Sequence, residues 1–101
     1  MYIPKGDYGY NLTFIVQESA GVAYSLAGYT VKLKVWVAGA PGTLLTDGAC
    51  VITSPTEGIC TYLVKNTDFT AVGIYKAELE LSKTGDIEST QSFEIRVVES
   101  G

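Results

Sequence analysis

The chain has 101 residues, 47% apolar and 18% charged, which fits one globular domain spanning residues 1–101 and excludes a disordered segment. Its net charge of −4, with only seven scattered Lys and Arg, argues against a nucleic-acid surface. Histidine is absent, which removes Ser-His-Asp and Cys-His catalysis and the usual histidine-bearing metal sites.

Residues 1–7 precede the first strand signal and read as a flexible or docking arm, with Tyr2 and Ile3 beside Pro4. The first predicted strand covers 8–17, with Leu12, Phe14 and Val16 on one face. A turn follows at 18–21, then a short extended piece at 22–26. Residues 29–37 alternate clearly. Val31, Leu33, Val35 and Val37 point inward, and Thr30, Lys32, Lys34 and Trp36 outward.

Gly39, Pro41 and Gly42 mark 38–43 as a loop. It has no Gly-Lys-Ser/Thr ending and so is no phosphate cradle. A short strand at 44–46 precedes an Asp47-Gly48 turn, and 49–53 with 59–64 form a hairpin about Pro55. Residues 65–72 cross between sheets in a single turn. A last hairpin joins 74–82 to 87–98 across Gly85, with Phe93, Ile95 and Val97 inward.

The stretch from Ala71 to Leu81 carries the fold. Tyr75, Ala77, Leu79 and Leu81 share one face, and Lys76, Glu78 and Glu80 the other. Gly73 and Tyr75 resemble the corner that opens strand F of immunoglobulin-like sandwiches, where a tyrosine hydroxyl bonds back to nearby backbone. The expected fold is an all-β, immunoglobulin-like sandwich of two antiparallel sheets with about seven strands. If 29–37 lies beside 74–82, Lys32 and Lys34 share an outer face with Glu78 and Glu80.

The chemistry on offer is sparse. Asp7, Asp47, Asp68 and Asp86 fall in predicted turns, where aspartate bonds local backbone. No calcium loop is present, and two cysteines cannot make a four-thiolate zinc site. Folding the hairpin about Pro55 sets Cys50 opposite Cys60. A cross-strand disulfide and a pair of reduced, buried thiols both fit. No cofactor or metal is expected, and the chain is not read as an enzyme.

Aromatic residues are the remaining signal. Tyr2, Ile3, Tyr10 and Trp36 are the candidate interface contacts, since exposed aromatics are enriched where proteins meet. Trp36 has two readings, a contact with a partner or cover by its own loop at 38–43.

Five segments carry a family resemblance. They are Lys5-Gly6-Asp7, the run from Ser25 to Val31, the run from Gly58 to Tyr62, the run from Gly73 to Leu79, and Phe93 to Val97. Together they resemble the N-terminal domain of the tailed-phage baseplate upper protein family. The resemblance implies an immunoglobulin-like structural domain in a bacteriophage virion, part of the baseplate or tail and assembled in the host cytoplasm. There it anchors a longer fibre or receptor-binding part and contacts neighbouring subunits. Its partners would be other virion proteins and further copies of itself, with no nucleic acid and no membrane. The family has no catalytic residues to carry over. No fibre region follows Gly101 here, so a piece of a longer protein and a standalone protein both fit. A capsid decoration protein and a carbohydrate-binding adhesion module on the virion surface are the alternative roles.

Overall fold

A computed structural model describes residues 1–19, 21–39, 44–90 and 92–99. In chain order the strands are β1 (Tyr2–Pro4), β2 (Asn11–Ile15), β3 (Gln17–Ser19), β4 (Val22–Ala23), β5 (Thr30–Val37) and β6 (Leu44–Ala49). They continue with β7 (Val51–Ser54), β8 (Ile59–Leu63), β9 (Gly73–Lys83), β10 (Asp86–Ser89) and β11 (Phe93–Val98).

These strands make an all-β sandwich. One sheet is six-stranded, in the order β1-β11-β9-β5-β6, with β10 also paired to β9. The facing sheet is three-stranded, in the order β2-β8-β7, and β3 and β4 form a small separate pair. The pairing is antiparallel except for β1, which runs parallel to β11. A parallel pair at this edge is an addition to the antiparallel sandwich expected from sequence.

Period-two alternation accounts for the core. Val31, Leu33 and Val35 of β5, Tyr75, Ala77, Leu79 and Leu81 of β9, and Leu12 and Phe14 of β2 are all buried in one cluster. Val37 also alternates inward, but it is 40% exposed because it closes β5 at the rim of the sheet. Fully burying a side chain of this size contributes about 1.5–3 kcal/mol, so the alternating faces dominate the stability.

The strands outnumber the seven expected because continuous apolar alternation conceals changes of partner. β6 pairs with β5 as far as Cys50, whose N–H donates to Val31 O at 2.8 Å; the chain then joins the other sheet as β7. The last expected strand breaks into β10 and β11. There the Leu79 N–H is taken by the Thr90 hydroxyl at 3.0 Å, which interrupts the backbone ladder.

The corner expected at Tyr75 is present. Its hydroxyl donates to Ala71 O at 2.7 Å, pinning the crossing segment to the start of β9. Gly73 is not required by that corner. Its φ is not positive, and an added Cβ would lie 3.7 Å from the Tyr75 ring, an ordinary contact. The demanding glycines are Gly48 and Gly58. A Cβ on Gly48 would stand 2.2 Å from Cε1 of buried Tyr62, and one on Gly58 would stand 2.4 Å from Val16 O.

The arm expected at residues 1–7 is instead tied into the sheet at several points. Tyr2, Ile3 and Pro4 pair with Arg96, Val97 and Val98. The Arg96 N–H donates to Met1 O at 2.9 Å, Lys5 N–H to Val98 O at 2.7 Å and Gly6 N–H to Phe69 O at 2.9 Å. The physical reason is Ile3, which enters the core and is 1% exposed.

Candidate docking surface

Among the described residues no cluster of His, Cys, Asp and Glu is arranged to hold a metal ion. The features that distinguish this domain lie on its two outer sheet faces.

The outer face of the six-stranded sheet divides in two. In one half Lys34 sits between Asp47 and Glu78, and Lys32 between Ala49 and Glu80. Lys34 Nζ bonds diagonally to Glu80 Oε2 at 2.6 Å, which holds the ammonium pKa above its ordinary value. The lysines and glutamates expected to share a face do so. Their charges answer each other across the strands, a modest and salt-sensitive contribution to the sheet.

The other half carries the exposed apolar side chains, set around Lys76 and the Arg96–Glu94 pair. Trp36 is half-buried between Leu44 on one side and Lys76 on the other. The register shifts between Val35 and Trp36, and both Leu44 and Leu45 stay exposed there. The next row across the sheet is Ile74, Arg96 and Tyr2, with Tyr2 71% exposed. Arg96 donates to Glu94 on its own strand, which lowers the Glu94 carboxyl pKa and raises that of the guanidinium. The cation beside Tyr2 is therefore already engaged.

The four residues singled out from sequence do not form one patch. Tyr2 and Trp36 share this face. Ile3, a neighbour of Tyr2 in the strand, points to the opposite side because successive strand side chains alternate. It therefore belongs to the core, a correction to its place among the surface contacts. Tyr10 precedes β2 in the other sheet and packs half-buried against the core. Its hydroxyl is buried with no hydrogen-bond partner among the described residues, and burial, helped by Asp7, raises its pKa. The loop suggested as a cover for Trp36 lies in part outside the described residues.

Sequence reasoning missed Ile74, Leu44 and Leu45. The signal for Ile74 was present, because it precedes Lys76 by two residues and so must share its outer face. Leu45 precedes Asp47 by two residues and shares its outer face in the same way; Leu44 carried no such signal, since its place beside Trp36 comes from the register shift against β5.

The three-stranded sheet presents a second face without charge. Strands β2, β7 and β8 contain no Lys, Arg, Asp or Glu. Thr13, Thr61 and Val51 form one row across it, with Val51 66% exposed. Ile15 and Leu63 are exposed on the same face.

The cysteines pair differently from expectation. Cys60 lies opposite Ile52, so the register is displaced by two residues and Cys50 becomes a diagonal neighbour. Both are free thiols, Cys60 buried and Cys50 half-buried. The hydrogen bond between them, reinforced by burial, pushes the Cys50 thiol pKa up and keeps it protonated.

No curated protein matches the chain. The sequence does match one family model, described as the BppU N-terminal domain, over residues 3–101. A match across almost the whole chain, on a sandwich whose conspicuous features are exposed sheet faces, shows that the chain belongs to the baseplate upper protein N-terminal domain family.

Proposed function

We propose that this domain is a non-enzymatic docking module of a tailed-phage baseplate, acting by protein–protein contact and by oligomerising within the particle. Membership of the family supports a structural role in the virion. The observation that carries the docking reading is the half of the six-stranded sheet's outer face where Tyr2, Trp36, Leu44, Leu45 and Ile74 surround Lys76 and an Arg96–Glu94 ion pair. Exposed apolar groups set side by side on a rigid sheet mark interaction sites, and aromatic residues supply much of the energy of such contacts.

In this reading Tyr2 and Trp36 touch the partner. Ile3 anchors the strand that presents Tyr2, and Tyr10 supports the opposite sheet. Neighbouring copies and other virion proteins are the partners, and assembly takes place in the host cytoplasm before release.

The test is a phage carrying Trp36→Ala, with Ile74→Lys as an independent variant. Each variant is expected to fold as a monomer and to be depleted from purified particles, the loss of a central aromatic contact costing about 2 kcal/mol or more. Immunogold labelling of wild-type particles gives the position. Label at the tail tip supports the baseplate reading. Label over the head favours a decoration role and argues against it. Full incorporation of both variants would remove this face from the interface.

A further inference from the structure

In an antiparallel ladder every second residue of an edge strand turns its N–H and C=O away from its partner. Flanking β2, the Val16 N–H donates to Gly58 O and Tyr10 O accepts from the Val64 N–H. By the same parity Leu12 and Phe14 bond to β8, and the backbone groups of Thr13 and Ile15 point out of the edge. Just after β10 the Thr90 N–H donates to Leu79 O, so by parity the backbone of Glu88 faces β9 and the backbone groups of Ile87 and Ser89 point outward. Among the described residues neither β2 nor β10 pairs with a strand on its outer side.

Between these two edges the sandwich is open. The opening is a groove of about 890 Å³, with Phe14, Leu79, Leu81 and Phe93 among the residues lining it. The Phe14 and Phe93 rings meet at 5.5 Å, closing the groove below. Among the described residues no Lys or Arg side chain lines it; the charged residues that do are Glu18 and Glu88, both exposed, and Met1 with its terminal ammonium. Glu88 is oriented by the Tyr24 hydroxyl, which donates to its Oε2 at 2.6 Å. The groove therefore offers unpaired backbone along its edges, an apolar floor and an acidic rim.

We propose that this groove receives an extended segment of another virion protein, which adds to β2 as a further strand. The segment would be about five residues long, the length of β2. Apolar side chains at every second position would meet the floor, and a Lys or Arg would meet Glu18 and Glu88. A second copy of this chain fits less well. Its open edges, β2 and β10, border the same acidic rim at Glu18 and Glu88, so edge-to-edge pairing of two copies would bring like charges together. The proposal deepens the docking reading and rests on it.

The test uses residues 1–101 and two synthetic heptapeptides, acetyl-Lys-Val-Thr-Val-Ser-Val-Lys-amide and its counterpart with Glu in place of Lys. Amide hydrogen exchange and NMR shifts are followed during titration. The Lys peptide is expected to protect the Thr13 and Ile15 amides and to bind about tenfold more tightly than the Glu peptide. Glu18→Lys, at an exposed position, should narrow or reverse that preference. Thr13→Pro removes an N–H aimed into the groove and leaves the β2–β8 bonds alone, so it should weaken binding by about threefold to tenfold. Unchanged Thr13 and Ile15 amides at millimolar Lys peptide would overturn the proposal. So would protection that rises with protein concentration and needs no peptide, because the occupant would then be a second copy. Incorporation into particles separates this proposal from the broader one. A Thr13→Pro chain incorporated like the wild type overturns the groove and leaves docking intact. A wild-type chain absent from particles overturns both.

Discussion

Tyr62 and Asp68 tie the two sheets together. The Tyr62 hydroxyl, on β8, donates to Asp68 Oδ2 at 2.6 Å. Oδ1 of the same carboxylate accepts from Thr46 on β6 at 3.3 Å, and Oδ2 also accepts the Lys65 N–H at 2.9 Å. One carboxylate in the crossing segment thus collects donors from both layers of the sandwich and from its own turn.

That arrangement predicts a specific alkaline weakness. Burial, with the hydrogen bond to Asp68, raises the Tyr62 pKa above its unfolded value of 10.0. The group favours folding fully below pH 10.0 and progressively less as the pH rises from there through the raised folded value. Urea unfolding at pH 8 and pH 11 should show a loss of stability at the higher pH. Tyr62→Phe should cost about 1–3 kcal/mol at pH 8 and reduce that pH dependence.

Gly48 and Gly73 should respond oppositely to alanine. At Gly48 the new Cβ would collide with the Tyr62 ring, which is 2% exposed and held by Asp68. Gly48→Ala should destabilise the domain by about 1–3 kcal/mol. At Gly73 the new Cβ would make an ordinary contact with the Tyr75 ring and φ is not positive, so Gly73→Ala should be neutral or stabilising by up to about 1 kcal/mol. Paired urea titrations decide both, and a large loss at Gly73 would show that the corner needs glycine after all.

Ile3 and Tyr2 are adjacent yet should behave as different kinds of residue. Ile3→Ala empties a core position and should cost about 2–5 kcal/mol. Tyr2→Ala leaves the core untouched and should change monomer stability by no more than about 0.5 kcal/mol. Equal, small effects from both would mean that the N-terminal strand does not hold to β11 in solution.

The thiols should be distinguishable by alkylation. Cys60 is buried and Cys50 half-buried, its pKa raised by the hydrogen bond with Cys60 and by burial. Native protein treated with iodoacetamide at pH 8 should label slowly at Cys50 and at Cys60 only after denaturant is added, as peptide mass spectrometry would show. Rapid labelling of Cys60 in the native state would indicate that β7 and β8 open readily.

Much of this molecule was legible along the chain because strand side chains alternate with a fixed period of two. The corner at Tyr75 rests on its resemblance to strand F of immunoglobulin-like sandwiches, and the period-two rule sets Tyr75, Ala77, Leu79 and Leu81 inside and Lys76, Glu78 and Glu80 outside. It is local, so sequence suffices for it. Partner choice is not local. The switch of sheets at Cys50, the two-residue displacement of Cys50 from Cys60, the parallel pairing of β1 and the open edges of β2 and β10 depend on segments distant in sequence. Their free energy comes from fitting one apolar face against another, so only the assembled sandwich decides which edges remain free to receive a partner.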